Sequence, residues 1–315
     1  MTPPGVQRPL AGVALILLTT LCFAALDTSA KLLGTVVPVL VMLWARYTVQ
    51  AVAMGAWFAG TRRLGLLRSV HPRFQLVRGL LLLGVSAMSY LGLRDMPVAE
   101  FTAVVMLTPV IVTVLAALVY AEHVSPLRWA LVAGGFAGAL VILRPGSGLF
   151  GWVALFPALG ALGYAAFQLL TRRLAGLEHP LTTHFHTGLI GSLACLLGLV
   201  VMHAIWGVRL DHVVAADAGL LLLLGLLGTV GHLLLILAFG MAPISLLTPF
   251  TYMQIFFAAL AGGGVFGHVP DRWAVAGMAV VAGCGAAAVW LNARESQAPH
   301  RPVPDSVVAA DTLGD

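Results

Sequence analysis

Long apolar runs separated by short polar connections make up most of this chain. Runs such as 79–84 and 219–225 are almost entirely leucine between two glycines and show no amphipathic period. That is expected of helices that meet lipid on one face and apolar protein on the other. The alternation required of β-barrel strands is absent from the sequence. At about 20 residues for each crossing, the pattern predicts ten transmembrane helices, at 12–34, 38–60, 75–94, 97–120, 126–143, 150–172, 181–206, 218–240, 243–266 and 271–292.

Composition identifies the solvent of this chain as the lipid bilayer. Hydrophobic residues make up 60% of the sequence and charged residues only 9%, whereas a soluble domain carries about 25% charged residues. The net charge is +5, but the basic residues lie between apolar runs rather than on one exposed face, as a nucleic-acid binder requires. We therefore predict an all-α integral membrane protein that lies in the lipid bilayer. We do not expect nucleic acid to be a partner.

The sequence repeats itself once. Met96-Pro97 corresponds to Met241-Ala-Pro243, and His123-Val124 to His268-Val269, both at an offset of 145 residues, while Asp27 matches Gln168 at an offset of 141. Each copy would contain five helices, 12–143 and 150–292, between terminal tails at 1–11 and 293–315. Since five is odd, the second copy would enter the membrane from the opposite side. Inverted repeats of this kind are typical of secondary transporters, whose substrate site lies near the midplane. The C-terminal tail is rich in proline and acidic residues, and we expect it to be disordered.

Basic residues predict the orientation, because cytoplasmic loops carry an excess of lysine and arginine. Numbering the connections alternately puts eleven on one side (Arg8, Arg62, Arg63, Arg68, Arg73, Arg78, Arg128, Arg172, Arg173, Arg294, Arg301) and five on the other (Lys31, Arg94, Arg144, Arg209, Arg272). Both termini are therefore predicted to lie in the cytoplasm.

Two stretches carry a resemblance to a known family. Leu43-Trp44-Ala45-Arg46-Tyr47 is similar to a second helix with an arginine, and Leu107-Thr108-Pro109-Val110 leading to Ala121-Glu122-His123 is similar to a proline-kinked fourth helix that ends in a glutamate. In these motifs, in length and in its two five-helix halves, the chain resembles EamA-type members of the drug/metabolite transporter superfamily over roughly residues 12–292. The second half departs from the family pattern, because Gly267-His268 stands where a matching glutamate is often found.

The resemblance implies a carrier for a small organic metabolite in the bacterial cytoplasmic membrane, which works by alternating access and is a candidate for proton coupling. The mixed charge of Asp27 and Arg46 favours a polar or zwitterionic substrate. No cofactor is implied, and the sequence contains no nucleotide-binding loop.

Charges within the apolar runs are the first candidates for a site, since each costs about 2.5–3.5 kcal/mol at the bilayer centre on insertion scales. Asp27 and Arg46 lie at nearly the same predicted depth, so we expect them to pair or to share one cavity wall. Lys31 lies one turn from Asp27 and is the competing partner. An ion pair that only fixes helix register is the structural alternative. Asp27, Lys31 and Glu100 are the candidates for coupling, although Glu100 would also suit the positive end of the fourth helix.

Uncharged residues complete the predicted cavity. Tyr90 and Tyr252 could stack on a planar substrate or simply pack, and His232 could face the cavity or be satisfied by a neighbour. Pro109 predicts a kink that would direct Thr108 to the cavity, because proline frees a backbone carbonyl; Thr248-Pro249 predicts a second kink in the ninth helix. The predicted cavity residues are Asp27, Arg46, Tyr90, Thr108, Gln168, His232, Tyr252 and Gln254.

Three other classes of function were weighed. A membrane enzyme would need a nucleophile with its base or a metal cluster, and neither His-Glu-x-x-His nor Gly-x-Ser-x-Gly occurs. A scaffold would have little reason to keep charged and polar residues at membrane depth. A channel would show rings of like residues or a filter motif.

The 35 glycines predict close helix contacts in the fifth and tenth helices, within one chain or between the two copies of a homodimer.

Overall fold

The computed structural model describes residues 9–120, 126–144, 150–174, 177–206, 217–241, 247 and 250–297. The described part is built of helices, with no β-strand. The α-helices are α1 (Pro9–Leu33), α2 (Val39–Gly60), α3 (Pro72–Asp95), α4 (Val98–Val105), α5 (Thr108–Tyr120), α6 (Pro126–Leu143), α7 (Leu155–Leu174), α8 (Pro180–Trp206), α9 (Ala218–Met241), α10 (Met253–Phe266) and α11 (Arg272–Gln297). Two short 3-10 helices lie at Leu64–Leu67 and Gly151–Ala154.

Helix length and composition agree with a multi-pass membrane protein. Within the described residues, six stretches are long and apolar enough to cross a membrane: Leu10–Leu33, Val39–Gly60, Pro72–Asp95, Gly151–Thr171, Pro180–Ile205 and Ala218–Ala238. Four shorter apolar helices follow the remaining predicted spans, at Val98–Val112, Trp129–Leu143, Met253–Phe266 and Arg272–Ala288. The all-α prediction is thus confirmed for the described chain.

The fourth predicted span is broken into two helices. α4 ends at Val105, and α5 begins at Thr108, directly before Pro109. Proline cannot donate to the carbonyl four residues earlier, which here belongs to Val105. The Thr108 hydroxyl donates to that carbonyl instead, with Oγ1 2.7 Å from the oxygen. The predicted kink is therefore present, and its freed carbonyl is satisfied locally.

The last two predicted spans differ in detail from the described helices. The ninth span was predicted from 243, and its predicted start and Thr248-Pro249 lie outside the described residues; residues 247, 250 and 251 are helical, and α10 begins at Met253 after a turn at Tyr252. The last helix continues to Gln297 rather than ending near 292, so the first residues of the predicted disordered tail are helical. Residues 298–315 lie outside the described chain.

Contacts between the two predicted halves dominate the packing. The most extensive join α1 with α9, α6 with α11, α2 with α8 and α3 with α7, followed by α2 with α9, α1 with α10, α3 with α8 and α5 with α7. Exchanging each predicted span for the one five places along leaves this set of pairs unchanged. For example, α1 with α9 becomes α7 with α3, and α2 with α9 becomes α8 with α3.

Small residues permit the closest of these approaches. A Cβ at Gly277 of α11 would lie 2.7 Å from the carbonyl oxygen of Gly138 in α6. On the other side of the bundle, a Cβ at Gly191 of α8 would lie 2.5 Å from the Tyr47 ring of α2. Glycine is therefore required at both seams, because any side chain would push the helices apart.

Candidate functional site

Asp27 is buried in the last third of α1, six residues before Leu33, and contacts the second half of the chain. Its Oδ2 atom accepts a hydrogen bond of 3.2 Å from Nε2 of Gln254 in α10. The side chain is 9% exposed. Two residues of the predicted cavity are thus brought together, one from each half.

Arg46 of α2 is also buried, with 5% of its surface exposed. Its Nη1 donates to Oγ of Ser86 in α3 at 2.7 Å, and the same hydroxyl lies 2.8 Å from the Tyr47 hydroxyl. The guanidinium passes Gly228 of α9, where a Cβ would lie 3.1 Å from Nε. A glycine at this point lets the arginine side chain cross between the helices.

No ion pair within 4.0 Å joins Asp27 to Arg46 in the described part of the chain. The direct pairing predicted from sequence is therefore wrong, because each group takes a neutral partner, Gln254 for one and Ser86 for the other. The two opposite charges still act on each other through space.

Tyr90 of α3 lies next to Arg46. Its ring centre is 6.0 Å from the guanidinium carbon, and only 1% of the residue is exposed. The Tyr90 hydroxyl and the Arg46 Nε are both buried without a hydrogen-bond partner. The hydroxyl lies beside the guanidinium but does not reach hydrogen-bond geometry.

Three rings lie in a row at the interface between α1, α8 and α9, the first pair tilted by 59° and the second stacked. The His232 ring lies 4.8 Å from the Phe23 ring and 6.0 Å from the His184 ring. Nδ1 of His232 is 2.9 Å from the Gly228 carbonyl oxygen, one turn earlier in α9. His184 is held by Gln50 of α2, whose Nε2 lies 3.2 Å from its Nδ1. The His232 ring therefore contacts His184, and its Nδ1 has a hydrogen-bond partner in its own helix.

A second buried arginine was not found from the sequence. Arg78 was counted among the loop charges, but it lies in α3 and is 8% exposed. Its Nε donates to Thr171 of α7 at 2.8 Å, and its Nη1 donates to Thr187 of α8 at 2.5 Å. The guanidinium also lies 4.4 Å from the Phe167 ring centre. The available signal was the position of Arg78 inside the predicted third span, 75–94, three residues from its start.

Lys31 has a structural partner rather than Asp27. Its Nζ donates to the backbone carbonyls of Leu93 at 3.0 Å and Met96 at 2.8 Å, at the end of α3. A cation satisfies the unpaired carbonyls at a helix C-terminus. The predicted competition of Lys31 for Asp27 is therefore wrong. Glu100 lies in the first turn of α4 and is 8% exposed, with Oε2 buried and unpartnered.

Three predicted cavity residues lie apart from this cluster. Thr108 is bonded to the helix break described above. Gln168, at the position matching Asp27, is exposed. Tyr252 packs in a separate hydrophobic cluster of α4, α6, α10 and α11, where a Cβ at Gly285 would collide with its hydroxyl.

Polar contacts also tie the two halves together at the ends of the helices. At one end, the backbone N–H of His71 donates to Oε1 of Glu178 at 2.7 Å, and the Ser69 hydroxyl donates to the same atom. Burial alone would raise the pKa of Glu178, but these hydrogen bonds hold it below its ordinary value. At the other end, Arg144 pairs with Asp271 at 2.8 Å. The Ala274 backbone N–H, together with Arg144, lowers the pKa of Asp271.

The described residues contain no group of three or more His, Cys, Asp or Glu side chains able to hold a metal ion. A groove of about 210 Å³ opens between α2 and α9, but its lining is apolar, with Val41, Trp44 and Leu221 among its walls. The polar chemistry of the described chain is therefore concentrated at the seam around Arg46, and not in that groove.

An apolar helical bundle that buries charged side chains between its two halves is typical of a membrane transporter. The model of the EamA-like transporter family matches residues 10–144. A riboflavin transporter of Rhizobium johnstonii is 34% identical over 249 residues, which cover 76% of this chain and 78% of that protein. The chain belongs to the EamA-like transporter family, which confirms the resemblance seen in its sequence motifs.

Further similarities extend over most of the chain. An S-adenosylmethionine uptake transporter of Rickettsia felis is 24% identical over 273 residues, covering 86% of this chain and 90% of that protein. A solved crystal structure is similar with a TM-score of 0.59 and 23% identity, covering 91% of this chain and 98% of that one. At this level of identity, the solved structure supports the fold alone.

Proposed function

We propose that this protein is a secondary transporter that moves a small organic metabolite across the bacterial cytoplasmic membrane by alternating access. The observation that carries this proposal is the buried polar cluster at the seam between the halves. Asp27 contacts Gln254 there, and Arg46 passes Gly228. Charged side chains buried in a membrane bundle are costly and mark substrate pathways.

The packing supports an inverted repeat. Because exchange of the halves leaves the strongest helix contacts unchanged, two similar five-helix units related by a pseudo-twofold axis account for the pattern. In such carriers, one unit rocks against the other around a central site. Both termini are proposed to lie in the cytoplasm. Arg78 is buried in α3 and Lys31 in α1, so each side loses one basic residue and the counts become ten against four.

The relatives suggest the size and type of substrate. Riboflavin and S-adenosylmethionine, named for two of them, are both polar molecules with a planar heteroaromatic ring. The rings of Phe23, His232 and His184, which lie in a row at this interface, are of the kind that planar heteroaromatic ligands contact. Asp27 and Glu100 are the carboxylates proposed for proton coupling. Lys31 caps the C-terminal end of α3 and is the third candidate for coupling.

The test uses the purified full-length chain in liposomes. Counterflow of radiolabelled riboflavin and S-adenosylmethionine should show saturable uptake stimulated by unlabelled ligand on the opposite side. Asp27→Asn should reduce this exchange by about tenfold while inserting normally, since its amide preserves the contact with Gln254. Linear, unsaturable flux would instead indicate a channel. If the folded wild-type protein exchanges neither riboflavin nor S-adenosylmethionine, the result would contradict the proposal.

A further inference from the structure

We propose that the substrate is recognised through its hydrogen-bond acceptors, by donors of Arg46, Tyr90 and His184, so that the carrier favours an electron-rich ligand of neutral or negative charge and discriminates against cations. This inference rests on the proposed transport function and specifies the substrate class of the same site.

The unpartnered atoms at the centre of the bundle are mainly donors. Arg46 Nε and the Tyr90 hydroxyl are buried without partners, and so is Nε2 of His184. With Nδ1 of His184 facing the Gln50 amide nitrogen at 3.2 Å, Nδ1 is the acceptor and Nε2 carries the proton. This Nε2 lies near the Thr229 backbone without reaching hydrogen-bond geometry.

A series of direct contacts connects the residues that carry these donors. Tyr90 lies beside the Arg46 guanidinium, and Arg46 Nε lies against Gly228. Gly228 is joined through its carbonyl oxygen to His232, whose ring stacks on His184. Helices α2, α3 and α8 thus each contribute one donor close to α9, at the seam where the halves meet.

Unpaired buried polar groups are rare in folded proteins and call for an explanation. Two oxygens of this region, Ser86 Oγ and Asp27 Oδ2, already have partners. Ser86 serves Nη1 of Arg46 and the Tyr47 hydroxyl, and the Asp27 carboxylate accepts from Gln254. A ligand with two or more acceptors along one edge would complete the set. Sites built this way reject analogues that lack the matching group, because their own polar atoms are then left unpaired.

The charge of the seam favours the same ligand class. In the described chain, Arg46 and Arg78 are both buried and neither has a carboxylate within 4.0 Å, since their hydrogen-bond partners are hydroxyls and a carbonyl. Asp27 is the carboxylate of this region. Two guanidinium groups against one carboxylate repel a cationic ligand, and guanidinium groups pair well with carbonyl, carboxylate and phosphate oxygens.

The experiment is a counterflow assay on the full-length chain in liposomes, with two probes. Riboflavin is neutral and carries carbonyl and ring-nitrogen acceptors on one edge of its ring. S-adenosylmethionine carries a sulfonium cation. The wild-type protein should exchange riboflavin with a kcat/KM at least about tenfold above that for S-adenosylmethionine.

Two variants locate the effect. Tyr90→Phe removes one donor and should raise the KM for riboflavin by about five- to tenfold, the range expected for one hydrogen bond. Arg46→Lys keeps the positive charge but removes Nε–H, so it should raise this KM while keeping the discrimination against S-adenosylmethionine. Tyr252→Phe makes the same chemical change in a cluster away from Arg46 and is the matched control, with KM expected within twofold of wild type.

The outcomes separate this inference from the proposed function. Saturable exchange with S-adenosylmethionine preferred would overturn the substrate class but leave transport intact. The same holds if Tyr90→Phe, normally folded, exchanges riboflavin with an unchanged KM. Failure of the wild type to exchange either probe would overturn the proposed function itself.

Discussion

The two halves of this protein share a packing plan but differ in chemistry. The first half contributes the buried charges Asp27, Lys31, Arg46, Arg78 and Glu100. Two of them, Asp27 and Arg78, have neutral partners in the second half, which are Gln254, Thr171 and Thr187. Helix packing in lipid depends mainly on shape and small residues, so a repeated fold does not require repeated chemistry.

The matching positions show this difference directly. Asp27 is buried at the seam, while Gln168, its counterpart in the repeat, is exposed on α7. The first half therefore carries the charges of the proposed site, and the second half supplies hydroxyl, amide and backbone partners to two of them, Asp27 and Arg78. Each of the following substitutions tests one part of that division.

Arg46→Gln should have the largest effect. It removes a buried charge and leaves Asp27 without a compensating cation, so we expect kcat/KM for exchange to fall about a hundredfold, or roughly 2.7 kcal/mol. Counterflow in liposomes measures this. Thr48→Val is the matched control, since Thr48 also joins α2 to the second half, through a hydroxyl contact of 2.6 Å to Ser192, and should lower exchange less than threefold. Near wild-type exchange by Arg46→Gln would show that this first-half charge is not part of the transport site.

Lys31→Met tests a first-half charge whose contacts are architectural. Two carbonyls at the end of α3 would lose their donor, at a cost of about 1.5–3 kcal/mol for a charged hydrogen bond. We expect a clear fall in thermal stability in detergent, with exchange by the surviving folded protein largely kept. A stable variant that loses its dependence on a proton gradient would show instead that Lys31 belongs to the coupling machinery.

Gly277→Ala tests the seam between α6 and α11. The new methyl group would lie 2.7 Å from the Gly138 carbonyl oxygen, and overpacking of this kind costs about 1–3 kcal/mol. Gly283→Ala in the same helix has no neighbour within 4 Å and should leave the melting temperature unchanged or slightly raised. Equal stability of the two variants would mean that the seam can relax.

Glu178→Gln should have the smallest effect, seen only in acid. Because the folded pKa of Glu178 is depressed, its carboxylate contributes stability above its ordinary pKa of about 4.3, and that contribution is lost as the pH falls through the folded value. Melting temperatures between pH 7 and pH 4 should therefore fall slightly more steeply for wild type than for the variant. Parallel curves would show that the Ser69 and His71 contacts carry no pH-dependent stability.

Much of the fold followed from the sequence because membrane helices are read from long apolar runs. Apart from the start of the ninth, the described helices begin and end within a few residues of the predicted spans. Pro109 predicted the break between α4 and α5, since a missing backbone donor must interrupt the helix wherever it falls. Asp27 and Arg46 were found because each is a charge far inside an apolar run.

The rest depended on side-chain direction, which one sequence does not contain. Arg78 lies near the start of a run and was interpreted as a loop charge, although its helix turns it into the bundle. Gln168 matched Asp27 by position, yet the alignment of two repeats does not say which face of α7 it occupies. Tyr252 is two residues from Gln254 but points into a different cluster.

The contact between α6 and α11 has a mechanical consequence. Main chain meets main chain at Gly138 and Gly277, so at this point there are no rotamers to change and little room to slide. The contacts around Arg46 and Arg78 are made by long side chains that can exchange partners. The interface between α8 and α2 has a similar contact, because a Cβ at Gly188 would lie 2.8 Å from the Ala51 backbone nitrogen. Rocking of the two units would therefore be resisted at both glycine contacts and taken up where side chains meet.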